Sequence, residues 1–229
     1  MKRSVKYLKA KEKISTNEGL SINEAIDAVK KLSYSKFTGS IELKVNLNID
    51  PKDSEQNIRF TTELPHPTGK KRKVLALTEE NLNSNYNSLE VIKGNDLSIK
   101  KIEESKLLPK TDFDMLITEA KFMPQLAKVA RILGPKGLMP SPKSNTVGNV
   151  KDILNSLDKG QILIRSQPSN RVIHLVLGKA NTSTQELIEN FNRVIDDIRK
   201  NKPPKVKKEF ISSIYLSATM GPSIKVNTK

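Results

Sequence analysis

The sequence predicts an α/β protein in which both ends of the chain build one α+β domain and the middle builds a second domain. Strict alternation of apolar and polar residues from Ile41 to Ile49 predicts a half-buried strand, and the last third of the chain returns to this rhythm. The middle third instead alternates short apolar strands with helices, which is typical of a parallel sheet covered by helices. We therefore expect a discontinuous domain of residues 1–67 and 160–229 and an inserted domain of residues 68–159.

The outer thirds hold the elements of the discontinuous domain. Ser21 and Glu24 form a capping-box pattern, which predicts a helix that begins there and runs to about Leu32. Apolar residues at helical spacing from Leu187 to Ile198 predict a second helix. The predicted strands are Ile41–Ile49, Asn57–Leu64, Gln161–Arg165, Val172–Leu177, Phe210–Ala218 and Ile224–Val226. Neither outer third has enough elements to bury a core alone, so we expect the two to pack together.

The middle third repeats a strand-then-helix unit. Its predicted strands are Val74–Leu77, Leu89–Ile92 and Phe113–Thr118, and its predicted helices are Leu97–Ile102, Pro124–Leu133 and Val150–Leu157. A polar, helix-like stretch follows Leu77, and a Gly/Pro-rich loop separates the last two helices.

The charge of the chain indicates a polyanionic partner. Its 229 residues include 40 Lys and Arg against 25 Asp and Glu, which gives a formal net charge of +15 and a pI near 9.8. Such an excess destabilises a fold through self-repulsion unless a polyanion neutralises it, and nucleic acid and anionic membrane are the two candidates. The basic segment up to Lys13 is either a solvated arm or a segment that folds onto phosphates.

Several classes of function have no support in the sequence. No apolar run approaches the ~20 residues of a membrane span, and the chain has no cysteine for disulfides, thiol catalysis or zinc binding. It contains neither a G-x-G-x-x-G motif nor a Walker-type phosphate loop. His66 is expected to be a turn histidine bonded to backbone, and His174 a surface or half-buried residue of a strand. We expect a cytoplasmic binding protein with no catalytic residue, no metal and no cofactor.

The most unusual stretch is the loop from Gly134 to Lys143, which contains a Gly-x-x-Gly motif. In KH domains this motif clamps a nucleic-acid backbone. There it leads directly into a helix, which the prolines of this loop disfavour. The loop is either a connector stiffened by proline or a phosphate-binding loop in which Arg131, Lys136 and Lys143 surround exposed backbone amides.

Two shorter segments also have alternative interpretations. Phe37, after the first predicted helix, either packs into the core or offers a flat surface on which a nucleotide stacks. Such stacking is worth ~1–3 kcal/mol per base. In the turn from Ser217 to Ser223, Gly221 either permits a positive φ or lets RNA approach the backbone closely. In the second case the Thr219 hydroxyl would bond to a ribose 2′-hydroxyl.

A series of motifs, taken in order, resembles one family. The motifs are Lys36-Phe37, Asn48-Ile-Asp-Pro-Lys52, Leu64-Pro-His66, the loop from Arg131 to Lys143, and Thr219-Met-Gly-Pro222. Together they resemble the bacterial type of large-subunit ribosomal protein number one along almost the whole chain. The Gly/Pro loop and the Thr-Met-Gly turn are the most specific of these motifs.

The resemblance implies a discontinuous α+β domain with an inserted Rossmann-like, three-layer α/β domain. It implies a structural protein that binds large-subunit rRNA to form the mobile stalk, assists release of deacylated tRNA from the exit site and, in many members, represses its own mRNA. Carried over by motif, the rRNA-contacting residues are Lys36, Phe37, Ser213, Thr219, Met220 and Gly221. The tRNA-facing residues of the inserted domain are Arg131, Lys136 and Lys143. The implied partners are large-subunit rRNA, exit-site tRNA and the leader of the protein's own mRNA; we expect no membrane partner and a monomer off the ribosome.

The chain departs from the family pattern at several turns. Pro67 replaces Gly after Leu-Pro-His, Thr38-Gly39 replaces Asp-Glu after the aromatic, and Ser141 replaces Asn in the Gly/Pro loop. The segment Gln167-Pro-Ser-Asn170 replaces an Asp-Lys-Thr-Gly turn. The resemblance therefore does not extend to RNA contacts made by these turns.

Two other classes of function fit parts of the pattern. One is a nucleic-acid-processing enzyme whose parallel domain holds a nucleotide, which predicts a higher melting temperature when nucleotide is added. The other is a basic protein without RNA specificity, which predicts affinity that falls with salt equally for every RNA sequence.

Overall fold

A computed structural model describes residues 4–14, 19–50, 53–69, 71–79, 86, 88–104, 106–167, 170–206 and 209–227. The chain divides into two compact units. Met1–Thr68 and Ile164–Lys229 form one, here called the terminal unit, and Gly69–Leu163 forms the other, the inserted unit. The sequence predicts domain boundaries after residues 67 and 159, and the chain passes between the two units after Thr68 and after Leu163.

The fold belongs to the α/β class, as the sequence predicts. In chain order its elements are α1 (Val5–Glu12), α2 (Ile22–Lys31), β1 (Ser40–Leu47), β2 (Arg59–Glu63), β3 (Arg72–Leu77), β4 (Leu89–Gly94), α3 (Asp96–Glu103), β5 (Met115–Thr118), α4 (Met123–Leu126), α5 (Ala130–Leu133), α6 (Val150–Asp158), β6 (Gln161–Arg165), β7 (Val172–Lys179), α7 (Thr184–Lys200), β8 (Ile211–Ala218) and β9 (Ser223–Val226). Short 3₁₀ turns lie at Ser54–Gln56, Ala120–Phe122, Ala127–Val129 and Pro142–Ser144.

The terminal unit contains a four-stranded antiparallel sheet in the order β7-β1-β8-β9. Helices α2 and α7 pack on one face of this sheet. Leu43 and Val45 of β1 are fully buried toward that face, whereas Lys44 between them is exposed on the other. Because side chains alternate along a strand, each strand carries one apolar and one solvent-facing row. We call the second row the open face.

Local capping explains where α2 begins. The Ser21 hydroxyl accepts from the Glu24 N–H at 3.5 Å, and the Glu24 carboxylate accepts from the Ser21 N–H at 3.2 Å. This is the reciprocal arrangement that the capping-box pattern predicts. Hydrogen bonds from the Ser21 side chain and backbone hold the pKa of the Glu24 carboxyl below its ordinary value.

The inserted unit is a three-layer α/β structure. Its parallel sheet has the order β4-β3-β5. Leu75 and Leu77 of β3 pack in a cluster with α3 and the segments after β5. Val74 and Ala76 pack on the opposite side in a cluster that includes α6. Both faces of the sheet are therefore covered, as the strand-then-helix pattern predicts.

Two elements differ from the sequence-based expectations, and a third expectation falls mostly outside the described residues. Helix α1 forms where the sequence indicates only a basic segment, and the side chain of Ser4 caps it by accepting from the Tyr7 N–H at 3.3 Å. The single helix expected over Pro124–Leu133 is instead a broken run in which 3₁₀ turns alternate with α4 and α5. The helix-like stretch expected after Leu77 falls mostly on residues 80–85 and 87, outside the described residues.

Candidate nucleic-acid interface

The segment after β8 is a tight turn with an exposed methionine at its tip. The Gly221 N–H donates to the Ala218 carbonyl at 2.8 Å, which closes the turn. Met220 occupies its third position with a φ of 68°, and its side chain is 66% exposed. A non-glycine residue in this left-handed region costs ~1–2 kcal/mol. Neighbouring contacts must therefore hold the turn in this conformation.

Gly221 does not supply the positive φ that the sequence offers as one explanation for a glycine here, because Met220 has it. A Cβ added to Gly221 would lie 3.3 Å from the carbonyl oxygen of Ala218 and 3.5 Å from its Cβ. Both atoms belong to the turn itself, so a side chain at this position would crowd it. The alternative, that glycine lets RNA approach the backbone, stays a prediction.

Lys36 and Phe37 lie in the loop between α2 and β1, and both are exposed. Phe37 is 60% exposed, so the interpretation in which it packs into the core is wrong. The Ser35 hydroxyl donates to the Phe37 carbonyl at 2.9 Å, which constrains the path of the loop. An exposed aromatic ring next to a lysine offers nucleic acid a stacking surface beside a phosphate-binding charge.

Hydrogen bonds join this loop to the turn after β8. The Thr219 hydroxyl accepts from the Ser40 N–H at 2.9 Å and donates to the Ser40 carbonyl at 3.2 Å. The Thr219 N–H donates to the same carbonyl at 2.9 Å, and the Tyr34 hydroxyl donates to the Met220 carbonyl. The two segments therefore form one surface, which we call the loop–turn patch. It comprises Lys36, Phe37, Thr219, Met220 and Gly221.

The contacts of Thr219 limit what its hydroxyl can do for RNA. A hydroxyl has one proton to donate and two lone pairs to accept with. The proton and one lone pair of Thr219 are already used on the backbone of Ser40. The hydroxyl can therefore accept a hydrogen bond from a ribose 2′-hydroxyl while it keeps both contacts, but it has no second proton to donate.

Ser213 lies on the open face of the terminal sheet, directly opposite Asn46 of β1. The Asn46 side-chain amide donates to the Ser213 hydroxyl at 2.8 Å. Further along the same face, Lys44 lies opposite Tyr215. From Ser213, strand β8 leads to the turn that bears Met220, so the polar open face and the loop–turn patch are continuous along the chain. The sequence does not single out Lys44 and Asn46, although the alternation from Ile41 to Ile49 already predicts that they point outward.

The Gly/Pro loop lies in the inserted unit. The N–H groups of Gly134, Gly137 and Leu138 donate to the carbonyls of Ala130, Gly134 and Leu133 at 2.8–3.0 Å. The expectation that exposed amides of this loop bind phosphate is therefore wrong for these three groups. The motif also does not lead directly into a helix as in KH domains, since only the 3₁₀ turn Pro142–Ser144 follows before α6.

The predicted cations of this loop have different surroundings. Arg131 is exposed at the end of α5. Lys136 is half-buried, and its ammonium group donates to the Pro109 carbonyl at 3.4 Å. Lys143 lies in the 3₁₀ turn Pro142–Ser144, with which the loop ends. The phosphate-binding interpretation of the loop thus depends on the charged side chains and not on the amides of Gly134, Gly137 and Leu138.

The turns that depart from the family pattern are held by internal contacts. The Ser141 N–H donates to the Thr146 hydroxyl at 2.9 Å. Gly39 packs against the loop–turn patch, since a Cβ there would lie 3.3 Å from the Cβ of Thr219. The Asn170 N–H donates to the Gln167 carbonyl at 3.2 Å, and residues 168–169 between them lie outside the described residues.

His66 differs in detail from its expected role. Its backbone N–H donates to the Asn190 side chain at 3.0 Å, but its ring nitrogen Nε2 lies 2.8 Å from a carboxylate oxygen of Glu189 and not against backbone. The sequence could not indicate this partner, which is 123 residues away. His174 is exposed on β7, as expected.

Among the residues that the structure describes, no three His, Cys, Asp or Glu side chains come together in a way that could hold a metal ion. No helix in the described part of the chain has the length and apolar character needed to cross a bilayer.

Comparison with known proteins gives a consistent result. The profile of the family described as Ribosomal protein L1p/L10e matches residues 29–222. Large ribosomal subunit protein uL1 of Mycoplasma capricolum subsp. capricolum is 38% identical over 226 residues, covering 98% of each chain. Protein uL1c of Phaeodactylum tricornutum is 39% identical over 209 residues, covering 90% of this chain and 89% of the relative. Protein uL1 of Thermosipho africanus is 37% identical over 229 residues, covering 99% and 97%. The resemblance carried by the Gly/Pro loop and the Thr-Met-Gly turn is confirmed, and the chain belongs to the ribosomal protein L1p/L10e family.

Proposed function

We propose that this chain binds large-subunit rRNA through the loop–turn patch of its terminal unit and thereby forms the mobile stalk. Membership of a ribosomal protein family makes it a structural constituent of the large ribosomal subunit. The observation that carries the proposal is the pair of exposed side chains Phe37 and Met220, 60% and 66% exposed. They project from two segments that Thr219 and Ser40 fasten together. Such side chains on a constrained backbone are suited to stacking on RNA bases, because the backbone loses little conformational entropy on binding. Non-specific attraction between charges would not require them.

The other predicted rRNA contacts extend this patch. Lys36 adds a charge for phosphate beside the Phe37 ring. Gly221 presents bare backbone at the turn, and Ser213 continues the surface along the open face of the sheet. Ribose and phosphate are the groups that such small polar surfaces recognise in RNA.

We assign a separate role to the inserted unit. Its exposed Arg131, together with Lys136 and Lys143, would face the exit-site tRNA and assist release of the deacylated molecule. Lys136 is half-buried and donates to the Pro109 carbonyl, so it is less available for tRNA than Arg131 is. Arg131 is therefore the residue on which we expect tRNA contact to depend most.

The same patch supports a regulatory role. An mRNA leader with the shape of the rRNA site would compete for it, so free protein would repress translation of its own message. We propose that the protein acts in the cytoplasm on the ribosome, is a monomer when free, and works by binding, with no catalysis and no cofactor.

The test is binding to the stalk element of large-subunit RNA and to a scrambled RNA of equal length, at two salt concentrations. Preference for the stalk RNA that persists at high salt supports shape-specific recognition. Equal and salt-sensitive binding to both RNAs overturns the proposal in favour of a generic basic protein. A melting-temperature rise with ATP or NAD, which a ligand at 100-fold over its Kd would produce by adding ~2.7 kcal/mol, would instead indicate a nucleotide-binding enzyme.

A further inference from the structure

A groove runs between α1 and the β8–β9 hairpin of the terminal unit. Its volume is about 330 Å³. Tyr7, Lys11 and Ile14 line one side, at spacings of four and three residues, so they share one face of α1 and of the turn that ends it. Tyr215 and Lys225 are among the residues that line the other side. Both sides therefore combine an aromatic ring with a cation.

Tyr215 is flanked by lysines on both neighbouring strands. In the sheet register it lies opposite Lys44 of β1 and opposite Lys225 of β9. The residues before and after it, Ile214 and Leu216, are fully buried on the other face. Because side chains alternate along a strand, Lys44, Tyr215 and Lys225 form one row across the open face.

Within the described part of the chain, the lysines that line or flank this groove have no acidic partner. No described residue forms an ion pair with the ammonium groups of Lys11, Lys44 or Lys225. Helix α1 adds further exposed lysines, and Glu12 is its single acidic residue. A concave site lined by positive charges raises the local concentration of an anionic ligand.

We propose that this groove binds a further strand of the RNA held at the loop–turn patch, with bases against Tyr7 and Tyr215 and phosphates near Lys11 and Lys225. This inference rests on the proposed rRNA binding and extends it to a second contact surface. The groove is continuous with the patch, because Pro222, which lines it, directly follows Gly221. If the groove binds RNA in this way, the basic N-terminal segment binds phosphates and is not a solvated arm.

The groove suits RNA better than a membrane surface. Two apolar side chains of α1, Val5 and Leu8, are 67% and 46% exposed. That is less apolar area than helices use to insert into the acyl boundary of a bilayer. Paired tyrosines and lysines in a concave site instead match the combination of stacking platform and charged channel that binds single-stranded nucleic acid.

The test compares two variants of equal net charge. Lys11→Ala/Lys225→Ala removes the two groove lysines, and Lys9→Ala/Lys101→Ala removes one exposed lysine of α1 that does not line the groove and one of α3. Affinity for the stalk RNA is measured over a series of salt concentrations. The slope of log K against log[salt] is negative, and the groove variant should make it less steep by about 1.4–1.8, since each lost phosphate contact contributes ~0.7–0.9. The matched variant should leave the slope close to wild type.

A charge-neutral variant tests the stacking part. Tyr7→Leu should weaken stalk-RNA binding by roughly 5- to 150-fold without changing the salt slope. Circular dichroism checks that every variant is folded.

The outcomes separate this inference from the function on which it depends. Wild-type protein that does not distinguish stalk from scrambled RNA overturns both. Wild-type protein that does, with equal slopes for the two double variants or unchanged affinity for Tyr7→Leu, overturns the groove alone. Loss of binding to vesicles containing phosphatidylserine in the groove variant, with RNA binding unchanged, would assign the groove to a membrane instead.

Discussion

The hydroxyl of Thr219 both accepts from the N–H of Ser40, at 2.9 Å, and donates to the carbonyl of Ser40, at 3.2 Å. One side chain thus satisfies both polar groups of the residue at which β1 begins. Through this contact the turn that bears Met220 is fastened to the loop that bears Phe37. The primary role of Thr219 is therefore to hold the two segments of the loop–turn patch together by hydrogen bonds, and any direct contact with RNA is additional to that role.

Replacing Thr219 tests the fastening role. Thr219→Ala removes both hydroxyl contacts and leaves the Ser40 N–H without its acceptor, so we expect ~1–3 kcal/mol of lost stability together with weaker stalk-RNA binding. Thr219→Ser keeps the hydroxyl and should retain most of both. Urea denaturation and RNA titration measure the two effects. A Thr219→Ala variant of unchanged stability would show that the hydroxyl does not fasten the patch.

Replacing Phe37 should separate binding from folding. Phe37 is 60% exposed, so Phe37→Ala should change the free energy of unfolding by less than ~0.5 kcal/mol. Loss of a stacking surface should weaken stalk-RNA binding by ~1–3 kcal/mol. Leu97→Ala is the matched control, because Leu97 is a similarly exposed apolar residue of the inserted unit. Equal effects of the two variants on RNA affinity would remove Phe37 from the site.

Local patterns were sufficient to predict most of the terminal unit. Alternation from Ile41 to Ile49 identifies β1 and its buried row, and the Ser21–Glu24 pair fixes where α2 begins, because both signals lie within a few residues of chain. The same reasoning misses α1, although Ser4 is a capping residue, since the segment lacks a continuous apolar face and three of its eight residues are lysine. It also predicts one helix where Pro124–Leu133 is broken by 3₁₀ turns.

The geometry of the patch could not be predicted in this way. Motifs identify Phe37 and Thr219 as candidates, but no local signal pairs Thr219 with Ser40, which lies 179 residues away. Likewise, a glycine in a turn suggests a positive φ, yet the tertiary contacts of Tyr34 and Thr219 hold the neighbouring Met220 in that conformation instead. Long-range hydrogen bonds outweigh residue preference at such positions.

Substitutions in the Gly/Pro loop should spare rRNA binding. Lys136→Ala and Lys143→Ala change the inserted unit and no residue of the loop–turn patch, so we expect stalk-RNA affinity within about twofold of wild type. Arg131→Ala should weaken tRNA binding measured in the same way. Losses of stalk-RNA affinity as large as those of Phe37→Ala would contradict the assignment of rRNA binding to the terminal unit.

Asn190 should matter for stability and not for RNA binding. Its side chain is fully buried, its amide donates to the His66 and Leu177 carbonyls at 3.0 and 2.9 Å, and its oxygen accepts from the His66 N–H at 3.0 Å. Asn190→Ala would leave these groups unsatisfied and should cost at least ~2 kcal/mol. Glu189→Ala, which breaks only the exposed pair with His66, should cost less than ~1 kcal/mol. Similar losses of stability for the two variants, measured by urea denaturation, would contradict this account.

Two variants of Met220 should separate backbone strain from side-chain contact. Met220→Ala keeps a Cβ at a φ of 68° and so retains the left-handed penalty, whereas Met220→Gly removes it. After allowance for the greater freedom of glycine in the unfolded chain, we expect the glycine variant to be about 1 kcal/mol more stable than the alanine variant. Both variants lose the exposed thioether, so both should bind stalk RNA equally weakly. If the glycine variant bound as tightly as wild type, the turn backbone and not the methionine side chain would be the RNA contact.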